Sequence, residues 1–167
     1  MKERTLVLLK PDAVARQITG QIISRFEQAG LKIVGMKLVS ATKEFAKKHY
    51  REEDIAKRRG YDIWEQNLDF LTKGPVLAIC LEGYQAIATV RKMVGSTQPS
   101  ESAPGTIRGD FTHVTYAIAN EKKKAIANII HASSSVDDAK SEVALWFAPN
   151  ELISYKSVHD TFIEHEF

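Results

Sequence analysis

The sequence predicts a single α+β domain, residues 1–167, built on an antiparallel β-sheet. Three observations lead there. Short apolar runs alternate with stretches of helical period along the whole chain. No strand–helix–strand unit carries a GxGxxG or GxxxxGK[ST] loop, which removes the doubly wound nucleotide-binding class. There is no repeat, linker or low-complexity tract, and 167 residues suffice for one buried core.

Taken in order, Thr5-Leu6-Val7-Leu8-Leu9 is an apolar run stopped by Lys10-Pro11-Asp12, which suits a buried strand. Ile18, Ile22, Phe26 and Ala29 then recur at helical spacing, and Gly30 supplies a C-terminal cap. Leu31 to Val39 reads as a second strand. Thr42 to Leu71 is polar and helix-prone, interrupted at Gly60. Val76 to Leu81 is a third strand, opened by Gly74-Pro75, and Tyr84 to Val94 is helical with Ile87, Val90 and Val94 on one face. Gly95 to Phe111 has no period and contains Pro99, Pro104, Gly105 and Gly109; a loop of that length in a compact domain is usually functional. Thr112 to Ala119 reads as a strand, Asn120 to Lys124 as a charged turn, and Ala125 to Ile130 as the last strand. A helix from Val136 to Phe147 opens on the capping pattern Ser135…Asp138 and closes before Pro149.

Composition excludes several functions. The charged fraction of 26% and net charge of +2 give no global case for nucleic acid or an acidic membrane, and no apolar stretch is long enough to span one. The N-terminus lacks a signal-peptide pattern, and the single cysteine, Cys80, lies in an apolar run and reads as a core hydrophobe; a cytoplasmic location is expected.

Three features carry chemistry. In Asn128-Ile129-Ile130-His131-Ala132-Ser133-Ser134-Ser135 a histidine leaves an apolar strand just before a capped helix, whose N-terminal N–H groups favour an anion. A neutral imidazole can attack phosphorus without a separate base. The alternative is a strand-end histidine that only bonds locally. The second is the loop from Gly95 to Phe111, where Arg108 offers a guanidinium fork and Thr97 a hydroxyl, with Arg91 in the last turn of the preceding helix. Arg91 also reads as a cation offsetting a helix C-terminus. The third is Lys10, a point charge at a strand end, or else a solvated surface lysine. His49, His113, His159 and His165 show no metal-ligand spacing and are given no catalytic role. The runs Lys57-Arg58-Arg59 and Lys122-Lys123-Lys124 read as solvated faces.

Leu9-Lys10-Pro11-Asp12, Ala103-Pro104-Gly105-Thr106-Ile107-Arg108-Gly109-Asp110, and the run from Asn128-Ile129-Ile130-His131 through Glu142-Val143-Ala144-Leu145-Trp146-Phe147 closely resemble the nucleoside diphosphate kinase family. The resemblance covers nearly the whole chain. It implies a ferredoxin-like four-stranded antiparallel sheet, transfer of the terminal phosphate of an NTP to an NDP, magnesium bound with the nucleotide phosphates, and a homo-oligomer, hexamer or tetramer. It implies His131 as the phosphohistidine, Glu142 orienting it, Tyr50 packing beside it and Ser133 bonding near the phosphate. Lys10, Arg91, Thr97 and Arg108 would hold phosphates, and Lys10 with Asn128 the sugar hydroxyls. The sequence departs from the family at Ser134, where many members have aspartate, and is longer between Tyr50 and Gly74 and across Thr112 to Ala127. Tyr61, Ile63 and Trp64 compete for the residue that stacks on the base, with Trp64 the best stacker on chemical grounds. The competing reading is a regulator on the same fold that binds nucleotides or nucleic acid without transfer.

Overall fold

A computed structural model describes residues 2–164. The elements run β1 (Lys2–Leu9), α1 (Pro11–Ala15), α2 (Thr19–Gln28), β2 (Lys32–Val39), α3 (Lys43–His49), α4 (Glu52–Arg59), α5 (Tyr61–Leu71), β3 (Val76–Tyr84), α6 (Ala86–Val94), α7 (Ile107–Phe111), α8 (Tyr116–Glu121), β4 (Ile130–Ala132), α9 (Val136–Trp146) and α10 (Val158–Glu164). The sheet order is β2-β3-β1-β4 with every pair antiparallel. With helical crossovers after β1 and β3, this is the ferredoxin-like arrangement.

The apolar runs are continuous because β1 and β3 are central and covered on both faces. Val7 and Leu9 of β1, with Ile79 and Leu81 of β3, pack under α2 and α6 through Ile22, Phe26 and Val90. Leu6 and Leu8, with Val76, Ala78 and Cys80, pack on the other side against Leu68, Val143 and Trp146. Burial pushes the Cys80 thiol up to about 11, which fits a core hydrophobe and not a nucleophile.

The helix-prone stretch after Thr42 is three helices, broken at Tyr50-Arg51 and at Gly60, whose φ of 97° no side-chain-bearing residue adopts cheaply. Two expectations are corrected. The segment expected as a strand from Thr112 to Ala119 instead starts α8, because the Thr115 side chain caps it by accepting from the Ile118 N–H. The last strand does not run from Ala125 to Ile130. Ile129 sits at φ 58°, so pairing with β1 begins only at Ile130 and extends to Ala132.

The segment after α9 folds back on the sheet edge. Ile153 N–H donates to Val34 O at 2.7 Å, and Lys32 is clamped between Glu82 and Asp160 at 2.9 and 3.3 Å. Bonds from Lys2 and from the Ser157 N–H hold Asp160 far below the usual carboxylate range. A carboxylate depressed in the folded state stabilises above its unfolded value, near pH 4, and loses that contribution as pH falls. Asp160→Asn is therefore expected to lower the denaturant midpoint clearly at pH 7, and by less at about pH 3, in parallel urea titrations.

Candidate active site

His131 lies in β4 opposite Leu8 of β1, with a side chain 22% exposed. Its Nε2 is 2.9 Å from Glu142 Oε1 on α9. Glu142 Oε2 accepts from the Ser133 hydroxyl at 2.6 Å, and Ser133 Oγ accepts the Leu6 N–H at 3.2 Å. A chain of bonds thus ties the imidazole to the central strand. Ser133, expected beside the phosphate, is instead fully buried and holds the carboxylate. Burial works to raise the Glu142 carboxyl, but the bond and charge of His131 outweigh it and keep it below the ordinary value. An ionised Glu142 selects the His131 tautomer that donates from Nε2, which leaves a lone pair on Nδ1. α9 is placed by its cap, where Ser135 Oγ accepts the Asp138 N–H at 3.1 Å. The Asp138 carboxylate accepts from the Ser134 hydroxyl.

The imidazole shares a cavity of about 290 Å³ with Lys10, Tyr50, Arg91, Thr97, Arg108 and Asn128. Lys10 is 6% exposed and donates to Asn128 Oδ1 at 2.8 Å; Asn128 Nδ2 in turn donates to Thr97 O at 2.8 Å. Arg108 is buried too. Its Nε donates to Asn128 O (3.2 Å), its Nη1 to Gly95 O and Ser96 O (3.1 and 3.0 Å), and its Nη2 to Ile130 O (2.6 Å). Four of the five guanidinium N–H groups are thereby used on carbonyls, and one remains for a ligand. Arg91 Nη1 donates to Ala132 O over a long 3.5 Å. Burial, then the Arg108 charge, pulls Lys10 down to about 8; burial, then the Arg91 charge, pulls Arg108 to about 10. Both cations would gain from an anion.

A strained turn at Ile129 lies between Asn128 and Ile130, which both line the cavity. A β-branched residue at φ 58° is costly, and it is held by Asp12 Oδ2 accepting its N–H at 3.0 Å and by its own carbonyl accepting the Lys10 N–H at 2.8 Å.

Of the three residues competing to stack on a base, Trp64 is ruled out. It is 3% exposed, packs in the core beneath β3 and donates from Nε1 to Tyr50 O at 2.6 Å. Tyr61 points to solvent, with its hydroxyl 3.4 Å from Glu65. Ile63 lines the cavity. Sequence reasoning also missed His49. Its buried ring lies 4.6 Å from that of His131 at 86°, and its Nδ1 accepts the Trp146 Nε1–H at 3.3 Å. Burial, then the neighbouring His131, drives its pKa down to about 3, so it stays neutral. Its position before Tyr50 carried no signal, because only the packing of α3 against α9 brings it there. The basic runs are corrected in part: Arg58, Arg59 and Lys124 line the same cavity. Among the described residues His113 and His159 enter no such cluster, and His165 lies outside those residues.

A Cβ on Gly109 would fall 2.2 Å from the Ala103 carbonyl oxygen. Gly109→Ala must displace the loop and the adjacent Arg108. It is expected to weaken binding of inorganic tripolyphosphate by about tenfold or more, read by calorimetric titration.

The model of the nucleoside diphosphate kinase family matches residues 3–152. The nucleoside diphosphate kinase of Pyrococcus horikoshii is 48% identical over 160 residues, covering 96% of this chain and 94% of its own. That of Borreliella burgdorferi is 41% identical over 165 residues, covering 99% and 98%. Among solved structures, a transition-state mimic of the Borrelia burgdorferi nucleoside-diphosphate kinase with bound vanadate and ADP superposes with a TM-score of 0.93 over 98% of this chain and 96% of that one, at 41% identity. An NDP kinase from Pyrobaculum aerophilum gives 0.84 at 35% identity, over 92% of this chain and 100% of that one. The sheet order, the buried cations around an accessible histidine and these matches agree: this chain belongs to the nucleoside diphosphate kinase family, phosphotransferases that pass the terminal phosphate of an NTP to an NDP.

Proposed function

We propose that the whole chain works as one nucleoside diphosphate kinase domain and that His131 carries the phosphoryl group in a ping-pong cycle. The observation that supports this most directly is the bond from His131 Nε2 to Glu142, which leaves Nδ1 as the nucleophile in a cavity lined by Lys10, Arg91 and Arg108. The Nδ1 lone pair attacks the terminal phosphorus of the donor; the bond to the bridging oxygen breaks, and NDP departs. An oxygen of the acceptor's terminal phosphate then attacks the phosphohistidine, and the imidazole is regenerated. Positive charge developing on the ring is met by Glu142, and negative charge on the transferred group by the three cations. Lys10 and Asn128 are joined at 2.8 Å and would together meet the sugar hydroxyls, while Thr97 would add a donor to the phosphates and Tyr50 would close one side.

Magnesium enters as part of the substrate, chelated by the nucleotide phosphates. Among the described residues the only carboxylate lining the cavity is Asp54, which Arg51 holds at 2.7 Å. A regulator without transfer would have no use for a histidine polarised by a carboxylate at 2.9 Å. Self-association is supported by β2, a sheet-edge strand that exposes Met36 and Leu38. No helix among the described residues is long and apolar enough to cross a membrane, and a cytoplasmic location accords with the lone buried thiol.

Incubation with γ-labelled ATP is expected to leave one acid-labile, alkali-stable label per chain, removed by any NDP and absent in His131→Ala. A label that survives acid would overturn the cycle. Arg91→Ala is expected to lower kcat/KM about a hundredfold with little change in unfolding midpoint, whereas Arg108→Ala should lower both, since it also strips four carbonyls of a partner. Free Lys10, at about 8, is partly neutral in alkali, and a polyphosphate restores its proton. Nucleotide binding should take up close to one proton at about pH 9 and almost none near pH 7, measured by calorimetry in buffers of different ionisation enthalpy, and Lys10→Met should abolish the uptake.

A further inference from the structure

On the Nε2 side of His131, three side chains from separate elements converge. His131 of β4, His49 of α3 and Glu142 of α9 each offer a metal-ligand atom within 4.8 Å of the other two. Glu142 Oε1 is the common point, 2.9 Å from His131 Nε2 and 4.0 Å from His49 Nδ1. An ion with zinc-type bonds of about 2.1 Å sets tetrahedral donors about 3.4 Å apart, so these spacings bracket what it needs. Two imidazole nitrogens and one carboxylate oxygen suit zinc, whereas magnesium takes oxygen ligands and keeps its waters. The His49 side chain is fully buried, its Nε2 has no hydrogen-bond partner, and its Nδ1 accepts the Trp146 Nε1–H over a long 3.3 Å. The ring is therefore tethered only through the nitrogen that would bind. A second cavity, of about 260 Å³, is lined by His49 and Glu142 together with Asp54 and Asp138. Neither His49 nor Glu142 lines the nucleotide cavity, so an ion has its own way in. Lys48 and Arg51 also border that way, and Asp54 pairs with Arg51 at 2.7 Å.

We propose that His131, His49 and Glu142 bind a divalent ion of the zinc type, and that this ion switches His131 off. The binding stands on the geometry; the inactivation rests on the phosphotransfer reading. A neutral imidazole has one N–H and one lone pair. Without the ion, Nε2 carries the proton and donates to Glu142, and Nδ1 keeps the lone pair. An ion on Nε2 needs the lone pair there. The ring proton then moves to Nδ1, which has nothing left with which to attack phosphorus. The exchange closes within the ring, with no proton released and no electron transferred. The reverse also holds. Phosphorylation on Nδ1 leaves the proton on Nε2, and a protonated nitrogen is no ligand. Metal and phosphoryl group thus exclude each other, and each weakens the other's hold by the same factor.

The test titrates the nucleotide-free chain with Co²⁺, which reports four-coordinate binding by its visible absorption, and then displaces it with Zn²⁺. One equivalent is expected to bind. His49→Phe keeps a ring and removes the ligand, and is expected to weaken Zn²⁺ binding by at least about a hundredfold. Trp146→Phe frees the Nδ1 lone pair and is expected to tighten binding about fivefold, the worth of one neutral hydrogen bond. Enzyme already phosphorylated on His131 is expected to bind no Co²⁺. Enzyme preloaded with Zn²⁺ should take no label from γ-labelled ATP until a chelator is added. A four-coordinate spectrum that His49→Phe leaves unchanged would overturn the proposal, as would equal Co²⁺ binding by free and phosphorylated enzyme or no binding at all. If the metal-free enzyme takes no label, the phosphotransfer reading fails and the inactivation falls with it, while the Co²⁺ titration still decides the binding.

Discussion

The whole site depends on two buried cations that are partnered by neutral oxygens. Lys10 bonds to an amide oxygen and Arg108 to four main-chain carbonyls, and burial moves both below their ordinary pKa values. A carboxylate partner would satisfy them more fully, but it would also compete with a polyphosphate for the same donors. The unmet charge is instead held in place by the surrounding architecture. Lys10 extends from the end of the central strand, and Arg108 is pinned between the 95–96 turn and β4, so neither can swing out to water.

The imidazole of His131 is organised on the opposite principle. Around His131 every polar group along one path is matched: β1 donates to Ser133, Ser133 to Glu142, and the imidazole to Glu142. One side of the ring is fully engaged, so the other nitrogen is left with its lone pair. His49 reinforces this by remaining neutral next to it, because a second positive ring 4.6 Å away would oppose positive charge on His131.

Much of this was legible in the chain. The central strands show as unbroken apolar runs because they are covered on both faces, and Ser135 announces α9 through its cap. The cations and the histidine were legible as residue types after strands and in an aperiodic loop. The misreadings have a common cause. Thr112 to Ala119 has strand composition, yet a local side-chain cap decides for helix. Ala125 to Ile130 is apolar enough for a strand, but Ile129 adopts a left-handed backbone that only the Asp12 carboxylate and the Lys10 amide, distant in sequence, explain. Trp64 has the right chemistry for stacking, and the face of α5 on which it lies sends it to the core. Ile63, its neighbour, faces the cavity. Helical phase within a short segment of mixed polarity was the missing information.

The way Arg108 is anchored has a mechanical consequence. Its side chain is a cross-brace between the turn after α6 and the start of the last strand, which the bond from Asn128 Nδ2 to Thr97 O also joins. Force applied by an anion at its remaining N–H is transmitted to both at once. A ligand therefore grips the joint that connects the loop to the sheet, and the loop can neither peel away nor collapse inward without the strand that carries His131 moving with it.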